Sequence, residues 1–196
     1  SVELTGLETL EVIIVAGSVL YGSGAMGGVL NFIPFRAGYS DQFRTFGNVS
    51  TGYQTVNHLW ASSASANLSD KNWYLSVNGS FRTAGNTDTP KGVISNSQFH
   101  DAGVGVTGGM TYGDNQEFLI GFNHFEAWNV GLPGSNVFPA SAVVSYHQFV
   151  RNQMNGEYIF KDISDVFKEF RIRAYTQNIS RDVDNSVNAT TKIYPS

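Results

Sequence analysis

Three glycines near the start of the chain have the spacing of a phosphate-binding loop. Gly22, Gly24 and Gly27 match the pattern G-x-G-x-x-G, which binds a pyrophosphate when it follows a strand directly and opens a helix. Here a β-branched run, 29–33, follows the glycines, and the first acidic residue after them, Asp41, is too early to contact a ribose. A soluble nucleotide-binding enzyme is therefore an alternative interpretation of this segment and not the favoured one.

The other residue types that perform chemistry are dispersed along the chain. The four histidines lack the spacing of metal ligands, and the chain contains no cysteine. No Ser, His and Asp set and no close pair of carboxylates is indicated by spacing. We therefore predict that the protein is not an enzyme and holds neither a metal centre nor a cofactor.

Composition excludes several other classes. The 196 residues suffice for one sizeable core or two small ones, and the net charge is −4 with 14% charged residues, below the quarter that is typical of globular domains. A nucleic-acid partner would require a basic stripe, which the sequence lacks. No run of eighteen apolar residues is present, so no transmembrane helix is predicted.

From residue 43 onward the sequence alternates with the period of β-strands. In the clearest segment, Trp73–Thr83, large apolar residues occupy one set of alternate positions and small polar residues occupy the other. Its length is that of a tilted strand that crosses a membrane. The pattern predicts an all-β fold of about seven antiparallel strands, at 44–56, 59–68, 73–83, 102–112, 116–126, 148–160 and 169–179.

The glycine-rich segment between Leu10 and Phe35 also carries a resemblance to a known family. Tyr21, Gly22, Gly24, Ala25, Gly27, Gly28 and Asn31 stand in the register of a motif of the type L-Y-G-x-x-A-x-G-G-x-I-N. The motif is similar to the end of the plug domain in TonB-dependent outer-membrane receptors. Two segments differ from the family motif: residues 14–16 stand where the family has Arg-Gly-Pro, and residues 34–35 stand where it has Thr-Lys.

The resemblance implies a division of the chain and a function. Residues 1–38 would be the C-terminal part of a plug, and 39–196 the N-terminal strands of a transmembrane β-barrel. Because Ser1 opens the chain without an initiator Met or a signal peptide, we expect a fragment of a longer receptor. Such a receptor lies in the outer membrane of a Gram-negative bacterium, contacts its lipid, and imports a scarce bulky nutrient with energy from TonB. Ferric siderophores (iron uptake), haem, cobalamin and glycans are the ligands implied.

The lengths of the connections assign sides to this barrel. The turns at 70–72, 113–115 and 161–168 are short, whereas 84–101 and 127–147 are long, and outer-membrane barrels have short periplasmic turns and long extracellular loops. His100 and His147, at the ends of the long loops, are candidate ligand contacts. Arg171 and Arg173 are predicted to face the lumen, where they would pair with carboxylates or line the path of an anionic ligand.

Two further classes remain open at this point. A soluble β-sandwich or lipocalin-like barrel has similar periodicity, although its exposed positions usually carry Lys and Glu and not the Ser and Asn found here. A passive porin or an adhesin-type barrel would share the strands and lack the plug.

Overall fold

The computed structural model describes residues 7–13, 29–34, 38–132 and 142–187. The chain divides into two compact units, Ser1–Gly38 and Tyr39–Ser196, and each is described here by itself. The interpretation of these units as a plug and a barrel wall stays a prediction.

The first unit contains two antiparallel strands, β1 (Leu7–Ile13) and β2 (Val29–Pro34). β1 begins five residues before the β-branched run 12–15 of the sequence. Leu7 pairs with Pro34 and Thr9 with Ile33, and a bulge lies between Leu7 and Thr9. The antiparallel pairing contradicts the nucleotide-binding interpretation, since the strands of a βαβ unit are parallel. Of the motif residues, Asn31 lies in β2 opposite Glu11. The others lie outside the described residues: Tyr21, Gly22, Gly24, Ala25, Gly27 and Gly28.

The second unit is built on one antiparallel sheet of seven long strands and a short hairpin. The strands are β3 (Arg44–Gln54), β4 (Leu59–Ser69), β5 (Trp73–Ala84), β6 (Thr87–Thr89), β7 (Gly92–Ile94), β8 (Phe99–Tyr112), β9 (Gln116–Leu132), β10 (Ala142–Lys161) and β11 (Glu169–Val187). Their order in the large sheet is β11-β10-β9-β8-β5-β4-β3, so each strand pairs with the next long strand along the chain. β6 and β7 form the two-stranded hairpin, which lies in the connection from β5 to β8.

The predicted fold class is confirmed, and the last strands are longer than their sequence pattern indicates. The described residues form an all-β fold whose large sheet has seven strands, joined by turns at 70–72 and 113–115 as predicted. β9, β10 and β11 extend beyond the predicted ends at 126, 148 and 179. The cause is the backbone: lateral hydrogen bonds continue between polar segments in which apolar and polar residues no longer alternate.

The register of the large sheet separates its two faces. Partners directly opposite one another share a face, and successive residues along a strand alternate between faces. The pairing runs without interruption from β3 to β9, and β10 carries one bulge, between Tyr146 and Gln148. Trp73, Met110, Phe118, Tyr158 and Ile172 therefore lie on one face, in a single row across five strands.

Gly109 provides space for the most buried ring of the sheet. Tyr74 lies opposite Gly109 and is 5% exposed, and the ring of Tyr39 contacts it edge-on at 5.3 Å between centroids. A Cβ at Gly109 would overlap the ring of Tyr74 and approach Cδ2 of Leu119 to 3.0 Å. The ring fills the space above the glycine and packs three strands together.

We predict that Gly109→Ala destabilises the protein by about 1–3 kcal/mol, because the new methyl group forces the buried ring of Tyr74 out of its place. The matched control is Gly79→Ala in β5, where a Cβ would meet only the carbonyl oxygen of Gly103 at 3.6 Å. Urea unfolding of the intact protein measures both variants. Equal stability of the two variants would contradict the packing role of Gly109.

Candidate functional site

One face of the large sheet, which we call the apolar face, presents large side chains to the surroundings. Ile120 is 55% exposed, Met110 54% and Phe118 43%. Further exposed residues of the same face are Val49, Tyr53, Trp60, Trp73, Val77, Phe81, Val104, Tyr112, Phe122, Met154, Phe170 and Ile172. Such a broad apolar surface marks an interface with an apolar partner.

The opposite face, which we call the polar face, is lined at its centre by amides and small residues. One row across five strands reads Asn78, Gly105, Asn123, Gln153 and Gln177. Glycine at position 105 is required here, because a Cβ would stand 2.6 Å from Oδ1 of Asn78 and 3.0 Å from Oδ1 of Asn123. The glycine thus allows amides from both neighbouring strands to lie over β8, and the surface offers hydrogen bonds without charge.

Near the turns 113–115 and 162–168, the turn end of the sheet, the polar face carries ion pairs. Glu157 in β10 accepts a hydrogen bond from Arg173 at 3.0 Å and forms an ion pair with Arg171 at 2.9 Å, and its side chain is 12% exposed. Arg171 also contacts Glu169 at 2.8 Å. Both predicted arginines therefore lie on the polar face and pair with carboxylates of neighbouring strands. That this face lines a lumen stays a prediction.

At the opposite end, the loop end, a buried ion pair joins β5 and β8 on the polar face. Arg82 and Asp101 are opposite one another, and the guanidinium donates two hydrogen bonds, of 2.9 and 2.7 Å, to the carboxylate. The side chains are 13% and 6% exposed. The ring of Phe99 lies 5.5 Å from the guanidinium carbon. This bidentate pair fixes β8 against β5 where the long loop begins.

Two further arginines on the polar face lie over phenylalanine rings. The guanidinium carbon of Arg151 is 5.9 Å from the ring centroid of Phe125, and that of Arg181 is 5.6 Å from that of Phe149. The two rings meet edge-to-face at 6.0 Å. Both arginines are exposed, and neither has a carboxylate partner among the described residues.

The loop between β5 and β8 folds against the ends of the neighbouring strands. Asn96, which has a positive φ of 58°, donates hydrogen bonds from its amide to the carbonyl oxygens of Leu132 at 3.0 Å and Val144 at 2.8 Å. The amide of Gly131 donates to the carbonyl of Gln98 at 2.9 Å. A Cβ at Gly131 would overlap the backbone of Asn96, so the loop approaches β9 closely.

The two candidate histidines lie in strands and not in the long loops, which corrects the predicted loop bounds of 84–101 and 127–147. His100 is part of β8, shares the side of the sheet that carries the apolar face, bonds Thr83 at 2.7 Å and stacks on Trp128 at 6.0 Å. His147 is the extra residue of the bulge in β10. Continued strand pairing beyond the apolar segments shortens both loops. The role of either histidine in ligand contact stays a prediction.

The sequence pattern missed most of the charged residues at the loop end. Arg151 alternates with Gln153 and Glu157 and was assignable to the polar face by its position alone. Arg181 lies beyond the predicted end of the last strand, so only the extended pairing of β11 places it on this face. The described residues contain no group of three His, Cys, Asp or Glu side chains able to hold a metal. They also contain no helix that is long and apolar enough to cross a membrane.

We predict that Arg82→Met costs about 3–5 kcal/mol of unfolding free energy, because it leaves the buried carboxylate of Asp101 without its partner. Arg44→Met, at an exposed position on the same face, serves as control and should change stability by less than about 0.5 kcal/mol. The double variant Arg82→Met/Asp101→Leu removes both charges and should recover most of the loss in urea unfolding. A cost below about 1 kcal/mol for Arg82→Met would show that the pair is not structurally required.

Comparisons with known proteins match the fold alone. No family model matches the sequence, and no curated protein matches it at a significant level. Among solved structures, the copper transporter OprC superposes with a TM-score of 0.74 at 17% sequence identity, over 90% of this chain and 26% of that chain. This chain therefore spans about a quarter of that transporter.

Proposed function

We propose that this chain is part of a TonB-dependent outer-membrane receptor that imports a scarce bulky nutrient. The observation that carries the proposal is the course of the apolar face. Between β5 and β11 the band of apolar side chains on this face runs obliquely to the strands, as expected when tilted strands pass through a bilayer of constant thickness. The likeness to a transporter supports the same general class.

From β5 to β11 the border of this band toward the loop end moves in steps toward the turn end. We take the border in each of these strands as the last apolar side chain, counted toward the loop end, before polar side chains follow on that face. β3 and β4 do not extend this course, because Thr51 and Ser62 interrupt the apolar residues after Val49 and Ala64. Phe81 in β5 and Ala102 in β8 are opposite one another, and this row continues to Ser180 in β11. In β9 and β10 the border lies nearer the turn end, at Phe122 and Met154, which are opposite one another. In β11 it is Ala174, six residues before Ser180.

This displacement corresponds to the tilt of strands in membrane barrels. Six residues along a strand span about 20 Å, and the four strand spacings from β5 to β11 span about 19 Å. A band at constant height therefore requires a strand tilt of roughly 45°, and membrane barrels tilt their strands by about 35–45°. A soluble sheet has no reason to carry an oblique exposed band, because water contacts its outer surface at every height.

The polar face would then line the path of the ligand. Short turns at 70–72 and 113–115 would be periplasmic, and the loop 85–98 would face the medium. The central amides offer hydrogen bonds without fixed charge, which suits the passage of a large polar ligand. β3 and β11 each pair on one side only in this sheet, and further barrel strands would cover both edges.

The unit 1–38 would be the end of a plug, with Tyr21, Gly22, Gly24, Ala25, Gly27, Gly28 and Asn31 forming its glycine-rich motif. Siderophores, haem, cobalamin or a glycan are the ligand classes proposed from the family resemblance. Copper is the cargo in the name of the structural neighbour. TonB would act through a region outside this chain, and lipid would cover the apolar face.

We predict that Ile120→Arg destabilises the receptor in a bilayer by about 2–4 kcal/mol, because the charge would lie in the hydrocarbon layer. Asp114→Arg, in the exposed turn after β8, is the matched control and should cost no more than about 1 kcal/mol. Unfolding from lipid vesicles measures both. If Ile120→Arg is as stable as the control, the apolar face does not contact lipid.

We also predict that uptake by the intact receptor requires the proton gradient. Cells that express it would be offered radiolabelled ferric citrate, haem, cyanocobalamin, an oligosaccharide and Cu²⁺, each with and without a protonophore. Accumulation of one probe that stops with the protonophore supports the receptor. Accumulation that continues after the gradient has collapsed would identify a passive porin, and accumulation of none of them would favour an adhesin-type barrel.

A further inference from the structure

Two pairs of arginines on the polar face, one near each end of the sheet, differ in their partners. At the turn end, Arg171 and Arg173 are two residues apart on β11, and the carboxylate of Glu157 contacts both. At the loop end, Arg151 and Arg181 have no such carboxylate among the described residues. The polar face thus carries one pair of arginines that share a carboxylate and one pair that has none among the described residues.

Register places the two unpaired arginines close together. Arg151 is opposite Ile179, and Arg181 follows two residues later on the same strand. Diagonal neighbours of this kind have Cα atoms about 7–8 Å apart, within the reach of long side chains. Two like charges on neighbouring strands repel each other. An anion between them would remove this repulsion.

The carboxylates nearest in the register of the sheet do not fill this role. Glu126 and Asp182 are one residue from the rows of these arginines and so point to the opposite face. Gln148 donates a hydrogen bond to Glu126 there, at 2.6 Å. Asp101 shares the row of Arg181 but lies three strands away and accepts both hydrogen bonds from Arg82.

The phenylalanines hold the arginines in place. Phe125 is directly opposite Arg151, and Phe149 is directly opposite Arg181. A ring beneath each guanidinium restricts its orientation, so less rotamer entropy is lost when an anion binds. Each guanidinium keeps its planar set of N–H donors for a carboxylate or phosphate.

We infer that Arg151 and Arg181, supported by Phe125 and Phe149, form a binding site for an oxyanion of two or more negative charges. The inference rests on the proposed function, since it assigns a ligand class to the polar face. The anion lies between Arg151 and Arg181 in the same way that the carboxylate of Glu157 lies between Arg171 and Arg173. Polycarboxylates and phosphates share the required chemistry.

Isothermal titration of the intact receptor in detergent tests the site, with citrate and inorganic phosphate as probes. We expect Arg151→Gln and Arg181→Gln each to weaken citrate binding about tenfold or more, as expected when one charge-assisted bidentate contact is lost. Arg44→Gln removes an exposed arginine from the turn end of the same face and should leave binding unchanged. Arg151→Lys keeps the charge without the planar donors and should give an intermediate loss.

The two probes, citrate and phosphate, distinguish the outcomes. Binding of phosphate with the same dependence on both arginines would make a phosphate-bearing ligand the better assignment within the inferred class. The inference is overturned if Arg151→Gln/Arg181→Gln binds both anions as the unmodified receptor does, or if the unmodified receptor binds neither at millimolar concentration. These results do not depend on transport or on a bilayer, so they are independent of the tests of lipid contact and of uptake. Circular dichroism of every variant verifies the β-fold.

Discussion

An unbroken antiparallel register from β3 to β9, with a single bulge in β10, is the constraint on which every other feature depends. Side chains along a strand alternate between faces, so a shift of one residue in any pairing would move Phe118 and Ile120 to the side of Asn123 and Glu157. The two faces have opposite requirements. The apolar face excludes charge over most of the sheet, and the polar face concentrates amides and arginines.

Glycine has a positional role in maintaining this register. At Gly105 and Gly109 the neighbouring side chains lie across β8, where a Cβ would collide with Asn78 or with the ring of Tyr74. Strands that pack amides and rings on one face therefore need glycine directly beside the larger group.

Charge varies along the polar face. Arg171 and Arg173 share a carboxylate near the turn end, neutral amides lie at the centre, and near the loop end Arg151 and Arg181 have no carboxylate partner among the described residues. Paired charges join neighbouring strands, as Arg82 and Asp101 do between β5 and β8. Arg151 and Arg181 form no such ion pair between strands among the described residues, and for this reason we assign them to a ligand.

The sequence by itself determined the period of two, the number of long strands, the tight turns at 70–72 and 113–115, and the face on which Arg171 and Arg173 lie. All of these follow from local chemistry, because the alternation of apolar and polar side chains along a strand and the residue types of a turn are properties of consecutive positions in the chain. Only the tertiary structure decided that Glu157 lies between those two arginines, that Asp101 meets Arg82 nineteen residues away, and that β9, β10 and β11 continue into polar sequence. Cross-strand partners depend on register, and strand length depends on hydrogen bonds offered by the neighbouring backbone. Neither quantity is encoded in the residues of one strand alone.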